Sequence, residues 1–150
     1  MASAASERAW STVVPHHPSG ARQARRRLAT GLGPLVRTEL LTDALSVAAE
    51  LVGNAIRHAS ALPGGVIRVA WQVRLADGVE TVHLRVTDGG ALTEPRVQPA
   101  DDDATDGRGL SIVAALANRW GVDHDGGGQS VWADVSWPTR SRSAAAAVGD

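Results

Sequence analysis

The segment from Leu41 to Ile56 constrains the fold more than any other part of the chain. Leu41, Ala44, Leu45, Ala48, Leu51, Val52, Ala55 and Ile56 recur at intervals of three and four residues, which gathers them on one stripe of an α-helix. An apolar stripe of that length needs a second apolar surface to cover it. Thr42 followed by Asp43 is the expected N-cap, and the pattern predicts a helix to about His58. A second helix is expected over 20–32, with Ala21, Ala24, Leu28 and Leu32 on its inner side and Arg22, Arg25, Arg26 and Arg27 crowding the other. The arginine side reads first as a solvated face and second as a docking surface for an acidic partner. Gly31, Gly33 and Pro34 end that helix.

The covering surface is expected to be a sheet. Segments 66–75 and 79–87 are rich in Val and partly alternating, and Asp77-Gly78 between them is a hairpin signal. Residues 10–14 read as an edge strand ended by Pro15, and 121–124 and 129–137 as two further strands around the Gly126-Gly127-Gly128 turn. A third helix is predicted over 109–119, with Leu110, Val113, Ala114 and Ala117 on one face. The layout is α+β: a two-layer sandwich with helices on one face of a mostly antiparallel, mixed sheet. One domain is expected over 10–138, with disordered ends at 1–9 and 139–150.

Composition removes several chemistries. The chain of 150 residues has no Cys, which excludes disulfides, cysteine-held zinc and a thiol nucleophile. All 15 Lys-plus-Arg residues are Arg, so neither a P-loop nor a eukaryotic-type kinase site can be built, since both need a Lys. The formal net charge of −1 provides no overall basic surface for nucleic acid. No apolar run approaches a membrane span and the N-terminus lacks a signal-peptide core, so the expected location is the cytoplasm, with no membrane partner.

Three local patterns carry possible chemistry. Glu50 and Asn54 are spaced i, i+4 and stand side by side on the long helix, with Arg57 and His58 one turn on. Taken alone, they read as a polar face looking at water. Asp88-Gly89-Gly90 closes a strand; a carboxylate there can accept from the exocyclic amine of adenine, and the glycines let the backbone approach a flat ring. Gly107-Arg108-Gly109-Leu110 opens a helix, where bare backbone N–H groups suit phosphate. Between the last two lies 91–106, with two Pro, four Asp and one Glu, a long polar loop of the kind that is functional or disordered.

In this order the patterns resemble the boxes of the GHKL ATPase superfamily (gyrase, Hsp90, histidine kinase, MutL), whose Bergerat fold is an α+β sandwich. Glu50-Leu-Val-Gly-Asn54-Ala-Ile-Arg-His58-Ala59 resembles the N box. Val86-Thr-Asp88-Gly89-Gly90 and Gly107-Arg108-Gly109-Leu110-Ser-Ile-Val113 resemble the two glycine boxes. Within the superfamily, the run Leu116-Ala-Asn-Arg-Trp-Gly-Val122 is similar to the anti-sigma-factor serine/threonine kinases.

The resemblance implies ATP and Mg²⁺ as cofactors. Asn54 is then the Mg²⁺ ligand, and Glu50 the catalytic group that orients or deprotonates the attacking hydroxyl. Asp88 and Gly90 hold adenine, and Gly107, Arg108, Gly109 and Leu110 line the phosphate path. His58 supports the site, Ser130 stands near the adenine, and 91–106 is the ATP lid. The implied partners are an anti-anti-sigma-type protein, which is phosphorylated, and a sigma factor, which is sequestered; a homodimer is also compatible. The alternative is a catalytically weak module that binds ATP and captures its partner. Three positions depart from the pattern: Leu92 replaces the last glycine of the first glycine box, Gly53 stands where Thr is frequent, and Gln129 where Lys is common.

Overall fold

A computed structural model describes residues 6–91 and 110–138. Its elements are β1 (Ser6–Pro15), α1 (Pro18–Leu32), α2 (Thr38–His58), β2 (Val66–Ala76), β3 (Val79–Asp88), α3 (Ser111–Leu116), β4 (Arg119–Asp125) and β5 (Gly128–Trp137). The strands form one five-stranded sheet in the order β1-β2-β3-β5-β4. Every neighbouring pair is antiparallel, so the expected two-layer α+β arrangement holds without a parallel pair among the described residues.

Alternation fixes which face of the sheet is covered. Ile67, Val69, Trp71 and Val73 of β2, Val82, Leu84 and Val86 of β3, and Val131, Ala133 and Val135 of β5 are buried. They lie on one face because side chains of a strand point alternately to either side. Helices α1 and α2 close that face, α1 against β1 and β2, and α2 over β3 and β5 at the centre. The opposite face carries Arg74, His83, Arg85, Trp132 and Asp134, and none of the described helices lies over it.

The hairpin at 77–78 is as expected, with Asp77 at φ 53° and Gly78 at φ 76°, the positive-φ pair that matches the twist of adjoining strands. β1 starts at Ser6 rather than Trp10, because it pairs with β2 residue for residue from Ser6–Leu75 to Pro15–Val66. Residues 6–9, expected to be disordered, are thus in the sheet. α1 opens with Pro18 behind His17, whose Nδ1 accepts from the Ser19 N–H at 3.1 Å.

Helix α2 differs from its expected outline in two ways. It begins at Thr38, and its N-cap Arg37 makes no side-chain cap bond; Thr42 lies inside the helix, exposed. Its buried face is also wider than the expected stripe, since α2 is packed by α1 and α3 as well as by the sheet. Leu40 and Val47 join the core, and the line Val47, Leu51, Asn54 runs buried along one side. Helix α3 is shorter than expected at 111–116, and Arg119 belongs to β4.

Leu51 is 1 % exposed at the centre of this packing. Replacing it by Ala should cost about 2–5 kcal/mol, the range for a large apolar side chain removed from a rigid core, measured by chemical denaturation. A cost under about 1 kcal/mol would show that α2 is not held as described.

Candidate nucleotide-binding site

The end of α2, the end of β3 and the start of β5 meet at one end of the sandwich, and two backbone hydrogen bonds fasten them. Gly89 N–H donates to Ser60 O at 2.7 Å, and Ser60 N–H donates to Gly90 O at 2.9 Å. The chain leaving α2 is therefore paired to the chain leaving β3. His16 secures the same corner from below: its Nε2 lies 3.0 Å from Ala55 O and 2.8 Å from Ala59 O. One imidazole N–H shared between two carbonyls satisfies acceptors that the last turn of a helix leaves open. Nothing in the sequence around His16 marked this role.

Asp88 sits inside the corner. It is 0 % exposed, and its Oδ1 accepts the Gly90 N–H at 2.7 Å. That bond curls the backbone into a tight turn, and Gly90 takes φ 96°, a conformation that side chains with a Cβ rarely adopt. Across the ladder from Asp88 stands Gln129. Just before it, a Cβ on Gly128 would lie 2.2 Å from Asp88 O, so only glycine permits this approach of β5 to β3.

Asn54 and Glu50 come from α2. Asn54 is 2 % exposed, which corrects the reading of its helix face as one looking at water. Glu50 remains partly exposed, and its Oε2 lies 3.9 Å from Arg57 Nη2. Gly53 makes room for that guanidinium, since a Cβ there would meet Arg57 Nη1 at 2.8 Å. His58 ends α2, half-buried.

Two expected site residues fall elsewhere. Ser130 points to the opposite face of the sheet, where its hydroxyl bonds that of Thr87 at 2.7 Å, so it does not share the Asp88 corner. Leu110 is 0 % exposed and belongs to the hydrophobic core. Gly107, Arg108, Gly109 and all of the expected lid except Ala91 lie outside the described residues, as does Leu92.

Gln129, which the sequence marks only as a departure from the family pattern, occupies the inner position opposite Asp88 that was expected for Ser130. It is 1 % exposed, and neither its Oε1 nor its Nε2 has a hydrogen-bond partner. A buried amide left unpaired costs about 1–3 kcal/mol. No alternation of the sequence could have found it, because a shift of one residue in register exchanges the two faces of a strand.

A polar concavity of about 380 Å³ lies on the uncovered face of the sheet. Two of its side-chain pairs meet within it: His83 Nδ1 is 2.6 Å from Asp134 Oδ1, and Arg85 Nη2 is 2.9 Å from Asp123 Oδ2. It shares no residue with the Asp88 corner.

The profile of the histidine kinase-like ATPase domain family matches residues 14–135. The chain belongs to this family. Membership implies ATP as the nucleotide, and the Asp88 corner fits it: a buried carboxylate for an amine, an unpaired amide beside it and backbones held close by glycine. No match was found among curated proteins. Among solved structures, the chain resembles the RsbU and RsbW domains of Rv1364c from Mycobacterium tuberculosis, with 22 % identity and a TM-score of 0.63. The similarity covers 89 % of this chain and 34 % of that one, and it shows a shared fold. No described helix is long and apolar enough to cross a membrane.

A divalent ion is compatible with the residues present, within limits. No cluster of three His, Cys, Asp or Glu among the described residues could hold a metal, so an ion here would depend on Asn54, phosphate oxygens and water. Mg²⁺ suits such a set, since it takes hard oxygen donors and keeps several waters.

Replacing Gly90 by Ala should destabilise the domain by roughly 1–3 kcal/mol, the cost of forcing a Cβ into this backbone region, and should weaken ATP binding as the turn loses its bond to Asp88. Thermal denaturation and calorimetric titration read the two effects. An Ala variant equal to wild type in both would remove the turn from the site.

Proposed function

We propose that this domain binds Mg-ATP in the Asp88 corner and transfers a phosphoryl group to a serine or threonine of an anti-anti-sigma-type protein partner in the cytoplasm, with sequestration of a sigma factor as a linked role. The observation that carries the nucleotide reading is the burial of Asp88 with one oxygen fixed by Gly90 N–H. This leaves the carboxylate oriented as an acceptor for the adenine amine. The partner reading rests on the sequence resemblance to anti-sigma-factor kinases and on the fold shared with a chain that includes an RsbW domain.

Glu50 stands one helical turn before Asn54, which places a base next to the proposed metal ligand. In the transfer step Glu50 accepts the proton of the attacking hydroxyl, the hydroxyl oxygen takes the γ-phosphoryl group, and ADP leaves. Asn54 would hold Mg²⁺ through its amide oxygen, and the ion would supply neutralisation of phosphate charge. Residues 91–106 are proposed to cover the nucleotide.

A second reading, an ATP-dependent binding module without transfer, is favoured by one contact. The Arg57 guanidinium lies 3.9 Å from Glu50, a neighbour for the carboxylate that the transfer reading assigns to the attacking hydroxyl.

Asp88→Ala should weaken ATP binding in calorimetry, and equal affinities would refute the adenine contact. Glu50→Gln keeps the side-chain shape and should retain ATP while losing about 10²–10⁴-fold in transfer, the usual worth of a general base. Asn54→Ala should lose Mg-dependent binding and transfer together. Labelled ATP with the native partner is the deciding assay; a wild-type protein that captures the partner and never phosphorylates it would leave only the second reading.

A further inference from the structure

We infer that Gln129 reads the nucleobase, its Nε2 donating to the adenine ring nitrogen beside the amine while Asp88 accepts from the amine itself. This rests on the ATP reading of the Asp88 corner. The motive is the state of the side chain: fully buried, with both amide atoms unpaired. The neighbouring strand hydroxyls are paired. Ser130 bonds Thr87, and Ser136 bonds Thr81 at 3.0 Å. Asn118 also has both amide atoms unpaired, but its N–H bonds Asp134 O, far along β5 from the corner. Gln129 alone of the two stands directly across the ladder from Asp88. Side chains so opposed on one face have Cβ atoms about 4.5–5.5 Å apart, near enough for their polar ends to converge on one edge of a purine.

The chemistry of the pair selects the base. Adenine presents a donor, its amine, next to an acceptor, a ring nitrogen; Gln is a suitable partner for this edge. An ionised carboxylate only accepts, whereas an amide both donates and accepts. Asp88 therefore takes the amine, and Gln129 supplies the donor that the carboxylate lacks. Guanine has a carbonyl oxygen where adenine has the amine, and that oxygen would face Asp88 without a proton between them. Gln129 thus completes a donor–acceptor pattern that Asp88 by itself leaves half-made.

The test separates a base-reading amide from one retained for structure. Gln129→Leu and Gln129→Met remove the amide at similar volume; Met serves if Leu loosens the strand. Each full-length variant is compared with wild type in thermal denaturation without nucleotide and in calorimetric titration with ATP and with GTP. The expected result is an unligated melting temperature equal to or above wild type, because an unpaired buried amide has been removed. ATP affinity should fall by about tenfold or more, the equivalent of roughly 1.4 kcal/mol, and the preference for ATP over GTP should narrow. Affinities within about twofold of wild type, well below that tenfold step, would overturn the role of Gln129. So would a lowered melting temperature with unchanged ATP binding, the mark of a structural amide. A wild-type protein that binds no ATP would overturn the nucleotide site itself and this assignment with it.

Discussion

The exchange of two backbone hydrogen bonds between Ser60 and the Gly89–Gly90 pair joins the end of α2 to the end of β3, and the arrangement of the site follows from it. Helix α2 is placed by its apolar face, from Leu40 to Ala55, against the centre of the sheet. With the helix seated there, the chain that leaves its last turn pairs with the turn after Asp88. His16 adds a second tie to the same corner through Ala55 O and Ala59 O. A rigid scaffold thus converges on a few residues whose own sequence positions are far apart.

The antiparallel register of β3 and β5 divides polar residues between two environments. Asp88 and Gln129 face the helices and are buried, whereas Thr87 and Ser130, one step along, face the other side and bond each other. The inner pair brings polar groups into a layer otherwise made of Val, Leu and Ala. Such burial is unfavourable unless the groups find partners, so natural cores tolerate it where function needs it. The outer face solves its own polarity locally, with Arg85 on Asp123, His83 on Asp134, and Arg119 over the Trp132 ring at 5.4 Å.

Much of this was legible in the sequence, for definable reasons. The β2–β3 hairpin could be read because Asp77-Gly78 fits one turn geometry and the flanking segments carry Val at strand spacing. The apolar stripe of α2 and the Asp88-Gly89-Gly90 turn were likewise local signals. The start of α2 was not legible, because Arg37 caps it without a side-chain bond and Thr42 offered a better-looking cap inside the helix. The burial of Asn54 was hidden because α2 is packed by elements remote from it in sequence. The exchange of Ser130 for Gln129 in the corner depended on strand register, which one chain without its pairing partner does not reveal. β1 was truncated at Trp10 because Ser6, Glu7 and Arg8 lack strand character and are held by pairing with β2.

The central claim is that the nucleotide binds where α2, β3 and β5 meet. Backbone amide chemical shifts of isotopically labelled protein, followed while Mg-ATP is added, test this most directly. The account predicts that the largest changes fall at Asn54, at 88–90 and at 128–130, while amides near His83 and Trp132 beyond the corner stay close to their starting positions. Changes centred on the uncovered face around His83, Arg119 and Trp132, with the Asp88 corner unmoved, would contradict it.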